Sequence, residues 1–252
     1  MIGMWQVPVL FGTGLVAGFV DSIAGGGGLI TLPVMLSFGW EPQFALGTNK
    51  LQASFGSGSA TWHYARGKAV ELNDCKRGFV ITFIAAAAGS FAVQQLDPSL
   101  LKRIIPILLV AVAIYFLLKP NLGEKDLHPR MGRQKFDVIF GLLLGFYDGL
   151  FGPGTGTFWA MAYVLGLGFN LTRATGYTKV MNFASNLASL AFFLLAGNVH
   201  VLAGLIMGIG QLIGARIGAG MVITRGTKFI RPVFISVVLA LTVRLIYTAY
   251  WK

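Results

Sequence analysis

Four ionisable side chains stand inside stretches otherwise composed of apolar residues: Asp21, Lys50, Asp148 and Lys179. A charge at the centre of a bilayer costs roughly 2.5–3.5 kcal/mol on insertion scales, so each needs a partner or a task. Glycine follows both aspartates. Asp21 leads into Gly25, Gly26, Gly27 and Gly28 in GFVDSIAGGGGLITLP, and Asp148 leads into Gly152, Gly154 and Thr155 in GFYDGLFGPGTGTF. Glycine admits positive φ and close ligand approach, so successive N–H groups can turn inward as an anion-binding nest beside a helix N-terminus. Asn49 and Gln52 flank Lys50, and Asn182 follows Lys179, as oriented amide donors, with Thr48, Thr178 and Asn186 beside them. The chemistry implied is reversible binding of a small oxyanion, in which Asp21 and Asp148 either orient the lysines or carry protons. Two plainer readings compete: glycines also let membrane helices pack closely, and each lysine could simply pair with an aspartate.

The elements that must position these groups are membrane helices. The chain has 252 residues, 55% hydrophobic and 12% charged, with a mean hydropathy of +0.72. That balance predicts an all-α polytopic membrane protein. Apolar runs fall at 4–24, 29–38, 44–64, 78–93, 100–118, 136–151, 158–168, 172–196, 199–221 and 229–250. Runs 29–38 and 158–168 would span about half of a ~30 Å hydrocarbon core at 1.5 Å per residue, so they either cross incompletely or re-enter. The expectation is 8 to 10 membrane segments, with helices broken at Asp21–Gly28 and Asp148–Gly156. Lys50 and Lys179 are expected near the starts of long helices, where the dipole disfavours a cation. The first apolar run carries no basic leader or cleavage pattern and is expected to be retained.

Twenty Lys and Arg against nine Asp and Glu give a net charge of +11. In a chain this apolar the surplus sets orientation rather than nucleic-acid binding. Arg66, Lys68, Lys76 and Arg77 place loop 66–77 in the cytoplasm, and Lys119, Lys125, Arg130, Arg133 and Lys135 place loop 119–135 there too. The turn around Asp97 and the neutral turn 197–200 belong outside, and Arg225, Lys228 and Arg231 return the chain inside. Trp5, Tyr247, Tyr250 and Trp251 read as interface anchors.

The blocks repeat. GFVDSIAGGGGLITL (18–32) aligns without a gap on GFYDGLFGPGTGTFW (145–159), and ALGTNKLQASFGS (45–57) on ATGYTKVMNFASN (174–186). The chain reads as a duplication: a first repeat at 1–118, a cytoplasmic linker at 119–135 and a second repeat at 136–252. The loop charges give the copies opposite orientations. Inverted repeats with discontinuous helices at mid-membrane are the build of secondary transporters. Pro153 and Thr155 replace Gly26 and Gly28 in the second copy, so its nest should differ from the first.

Other chemistries find little support. GPGTGT lacks the GK[ST] ending of a nucleotide-binding loop. His63, His128 and His200 have no metal-ligand spacing, and the single Cys75 excludes an internal disulfide or a Cys cluster. No metal or cofactor is expected, and an intramembrane hydrolase has no activated His–nucleophile pair. Arg216 either serves the cavity or snorkels to the inner surface. No stretch compels an oligomer, and a homodimer stays open.

GFVDSIAGGGGLITLP with ALGTNKLQA, GFYDGLFGPGTGTF with ATGYTKVMNFASN, and GQLIGARIGAG together resemble the TauE/SafE family, over nearly the whole chain. The resemblance implies a multi-pass carrier of the bacterial inner membrane for small sulfur-containing anions such as sulfite, sulfonates or sulfoacetate. It implies no residue-level mechanism. Alternating access is the expected mode, with an anion channel, or a cation or proton exchanger using Asp21 and Asp148, as alternatives.

Overall fold

The computed structural model describes residues 3–101, 103, 104, 107 and 126–226. Most of the apolar run 100–118, the run 229–250, residues 119–125 of the loop 119–135, and the anchors Tyr247, Tyr250 and Trp251 lie outside the described residues, as do Lys228 and Arg231. Eight helices have both ends within the described residues: α1 (Gln6–Ala24), α2 (Gly27–Ser37), α3 (Pro42–Arg66), α4 (Leu72–Gln94), α5 (Arg133–Leu150), α6 (Thr155–Leu167), α7 (Leu171–Leu195) and α8 (Val201–Arg225). No strand occurs among these residues. By length and apolarity α1, α4, α7 and α8 are candidate membrane spans. The protein is an all-α polytopic membrane protein.

The helix ends follow their residues. Gly25 stops α1 at φ 70° and Gly26 bridges to α2 at φ 129°, a pair of backbone states that side chains rarely tolerate. Gly152 and Gly154, at φ 89° and 79°, make the matching break between α5 and α6. Pro42 occupies the first turn of α3, where its missing N–H costs nothing. The Asn170 side chain accepts the Arg173 N–H as the N-cap of α7. α2 and α6 have 11 and 13 residues, about 16 and 20 Å at 1.5 Å per residue, short of a full crossing.

Glycines bring two helix pairs into backbone contact. Cβ atoms built on Gly14 and Gly18 of α1 would meet the Met207 and Gln211 carbonyls of α8, and those on Gly214 and Gly218 would meet Leu15 and Phe19 of α1. Gly145 and Gly149 of α5 pack in the same way on Thr82 and Ala86 of α4, and Gly89 of α4 on Phe146 of α5. This is small-residue packing, which lipid-embedded helices need because burying apolar surface against one another gains little there. Large apolar side chains point outward instead, among them Ile84, Leu143, Leu205 and Ile209.

The interior is layered. On α8, Ala203 and Met207 belong to one apolar cluster and Ala215, Ala219 and Val222 to another, with Gln211 between them. On α3, Leu46 lies in the first cluster and Ala60 and Tyr64 in the second. Asn49, Lys50, Gln52 and Ser57, all buried, fill the interval. A polar layer is thus held between two apolar clusters.

Candidate functional site

The polar layer is built on two ion pairs that exchange partners between the halves of the chain. Lys50 Nζ of α3 lies 2.7 Å from Asp148 Oδ1 of α5, and Lys179 Nζ of α7 lies 2.9 Å from Asp21 Oδ2 of α1. Asp21 is the sixteenth residue of α1 counted from Gln6, and Asp148 the sixteenth of α5 counted from Arg133. Lys50 and Lys179 are each the ninth residue of a 25-residue helix. This corrects the placement expected near helix starts. The lysines sit two turns inside, where the dipole has faded and the carboxylate supplies the compensation.

The aspartates take their remaining hydrogen bonds differently. Asp21 Oδ1 accepts the Gly26 N–H at 3.0 Å and the Gly27 N–H at 3.1 Å. The glycine nest of the first half is thus filled by a carboxylate of the chain itself. In the second half Pro153 has no N–H and the Thr155 N–H donates to the Gly152 carbonyl. Asp148 therefore relies on side chains: Lys50 on Oδ1 and the Ser185 hydroxyl on Oδ2. Lys50 also donates to the Asp148 carbonyl, which the break at Phe151–Gly154 frees from the helix ladder.

Gly25 and Gly156 bring the two breaks together. A Cβ on Gly25 would stand 2.6 Å from the Gly156 carbonyl carbon, and Thr157 donates its hydroxyl to the Ala24 carbonyl at 2.7 Å. The first turns of α2 and α6 then border one cavity of about 30 Å³, with room for roughly two waters. Its lining includes Gly26, Gly27 and Gly28 from one break and Gly152, Gly154 and Thr155 from the other. Asp21, Asp148, Asn49, Asn182, Asn186 and Gln211 also border it. A second depression, of about 470 Å³, is lined by Lys68, Glu71, Asn170 and Arg173 among others and shares no residue with the first.

Of the residues singled out in the sequence, Lys50, Lys179, Gln52 and Gly25 do not line the central cavity. The lysines stand behind their carboxylates. Gln52 donates to Asn49 Oδ1 at 2.7 Å, and Thr31 donates to the same atom at 2.6 Å. Gln52 and Thr31 thus orient Asn49 rather than face the cavity. Thr48 accepts the His200 N–H, and Asn186 donates to Ser57. Arg216 is exposed, which removes the cavity option for it. No cluster of three or more metal-ligating side chains occurs among the described residues.

Sequence reasoning missed Ser185 and Gln211. Ser185 left no signal, being one of two serines in α7. Gln211 did leave one: a glutamine in GQLIGARIGAG is the single amide side chain in α8.

Broken helices meeting at a buried charged layer, within an all-α polytopic bundle, define a class of protein built to pass a small polar solute through a membrane. The chain belongs to the sulfite exporter TauE/SafE family, whose model matches residues 10–245. It is 43% identical over 250 residues to the "Probable membrane transporter protein YfcA" of Escherichia coli, covering 99% of this chain and 93% of that one. A "Probable membrane transporter protein" of Haemophilus influenzae is 44% identical over 250 residues, covering 99% and 98%. No solved structure matches the chain. The protein is a multi-pass membrane transporter.

Proposed function

We propose that this transporter moves a small sulfur-containing oxyanion, such as sulfite or a sulfonate, through the cavity between α2 and α6 in a bacterial inner membrane. The observation that carries this reading is the oxyanion already bound there. The Asp21 carboxylate, seated on the Gly26 and Gly27 N–H groups and on Lys179, is held by backbone and ammonium donors of the kind a substrate oxyanion needs. The N-termini of two helices border the same cavity, and their dipoles favour negative charge. The family description, sulfite exporter, agrees with a compact oxyanion as cargo.

On this reading the substrate binds in exchange for a carboxylate: a carboxylate withdraws from its lysine and the incoming anion takes the ammonium. Asn49 and Asn182 contribute amide N–H groups, and the helix starts at Gly28 and Gly154 border the same space. The space of about two waters fits a closed intermediate that opens to either side. The halves 1–118 and 136–252 are read as inverted repeats, which the reciprocal ion pairs support. α1 packs on α8 as α5 packs on α4, and α3 packs on α8 as α7 packs on α4. Rocking one half on the other then alternates access around a fixed centre.

Thermal unfolding of detergent-purified protein with sulfite, methanesulfonate, thiosulfate, sulfate and chloride tests the reading. Saturable stabilisation by a sulfur oxyanion, absent with chloride and weakened in Asn49→Ala and Asn182→Ala, is expected. Stabilisation by divalent cations instead, with no response to any oxyanion, overturns it.

A further inference from the structure

The two ion pairs match in position but differ in what remains once the lysine is taken. The centre holds two buried ammoniums and two carboxylates. It is neutral as it stands, and an incoming anion makes it negative. A buried charge without compensation is far more costly than a neutralised one. If the anion takes Lys179, Asp21 keeps two N–H donors, from Gly26 and Gly27. If it takes Lys50, Asp148 keeps one neutral donor, the Ser185 hydroxyl.

We propose that the carrier is a proton–anion symporter in which Asp148, and not Asp21, takes the proton, the lost Lys50 contact leaving its carboxylate with one neutral donor in a cavity it shares with Asn182 and Gln211. This rests on the oxyanion reading above. A protonated Asp148 becomes a donor and needs an acceptor. Asn182 Oδ1 and Gln211 Oε1 are buried without a hydrogen-bond partner, and both residues line the cavity with Asp148. A proton on Asp148 thus neutralises the added charge and gives an orphaned oxygen its donor.

The groups around Asp148 leave it as the acceptor of choice. α3 presents Lys50 and α7 presents Ser185. α6 presents Thr155, whose hydroxyl donates to the Gly152 carbonyl. α4 presents Ser90, donating to the Gly149 carbonyl. On α5 itself the Tyr147 phenol donates to the Pro153 carbonyl at 2.8 Å. The proton enters from water on the side from which the anion enters, rests on a carboxylate oxygen of Asp148, and leaves to water on the other side as Lys50 reclaims the carboxylate.

Proteoliposomes enclosing a pH-sensitive dye separate this inference from the functional reading. Methanesulfonate and thiosulfate are suitable probes, because neither carries a titrating proton near neutral pH. Wild-type protein should exchange at least one of them in counterflow and, in net uptake into liposomes that lack it, acidify the lumen. A gradient of one pH unit should raise accumulation of a monoanion about tenfold, since one unit is about 1.36 kcal/mol. Asp148→Asn should lower the number of protons carried per oxyanion in whatever net flux remains. Asp21→Asn should keep acidification in proportion to whatever flux remains. Wild-type net uptake without acidification, or flux driven by sodium at equal pH, overturns the inference and leaves the oxyanion reading intact. Absence of counterflow with both probes overturns both.

Discussion

Lys50 Nζ and Asp148 Oδ1 stand 2.7 Å apart although 98 residues separate them, and both side chains are sealed from solvent. Removing one partner of such a pair leaves an uncompensated buried charge, which costs roughly 3–5 kcal/mol. Removing both leaves none. Lys50→Ala should therefore lower the unfolding temperature sharply, whereas Lys50→Met with Asp148→Leu should recover most of the loss. Thermal unfolding of single and double variants in detergent gives the coupling directly. A double variant no more stable than Lys50→Ala would show that the pair is not what holds this part of the bundle. The recovered double variant should still be inactive in uptake.

Gly152 lies over that pair. A Cβ there would meet Asp148 Oδ1 and Lys50 Nζ, both at 3.0 Å, at a φ of 89° that disfavours any side chain. Gly152→Ala should cost more than the ~1 kcal/mol of a positive-φ glycine replaced in open space. Gly39, at φ 77° with nothing near its Cβ position, is the control for that backbone cost. If Gly39→Ala and Gly152→Ala lower stability equally, the crowding at the ion pair has no energetic consequence.

The glycines of α8 divide by what they touch. Gly214 approaches the Leu15 carbonyl of α1 closely, whereas a Cβ on Gly220 meets open space. Gly214→Leu should prevent α1 and α8 from meeting and leave little monodisperse protein after extraction. Gly220→Ala should be neutral or slightly stabilising, because alanine is the better helix former by ~1 kcal/mol. Size-exclusion profiles of the two variants make the comparison.

Much of this centre was legible from residue type and spacing. The glycine breaks, the short helices after them and the two aspartate–lysine sets followed from charges and glycines that an apolar helix tolerates only for a reason. Which lysine meets which aspartate was not legible. Each pair crosses from one half to the other, a consequence of packing α3 and α7 between the broken helices and not of any local spacing. The filling of the first nest by Asp21 was hidden for a related reason: it depends on the turn at Gly25 and Gly26 folding back on α1 by five and six residues. Ser185 became significant only because α7 brings it to the Asp148 carboxylate that Pro153 leaves short of N–H donors.

Opposite orientation of the halves has a direct test in the loops that follow α3 and α7. Gly67 follows the first and Gly197 the second after Ala196, and the nearest positions to replace are Lys68, which is exposed, and Asn198, which is half-buried. The basic residues Arg66, Lys68, Lys76 and Arg77 should hold the first loop in the cytoplasm, by the distribution of Lys and Arg. Turn 197–200 has no Lys or Arg and should face out. With the buried Cys75 replaced by Ser to clear the background, Asn198→Cys should react with a membrane-impermeant maleimide on intact cells. Lys68→Cys should react only after permeabilisation. If both label from the same side, the halves share one orientation. The reciprocal pairing of Lys50 with Asp148 and Lys179 with Asp21 would then need an origin other than an inverted duplication, and a rocking mechanism about the polar layer would lose its symmetry argument.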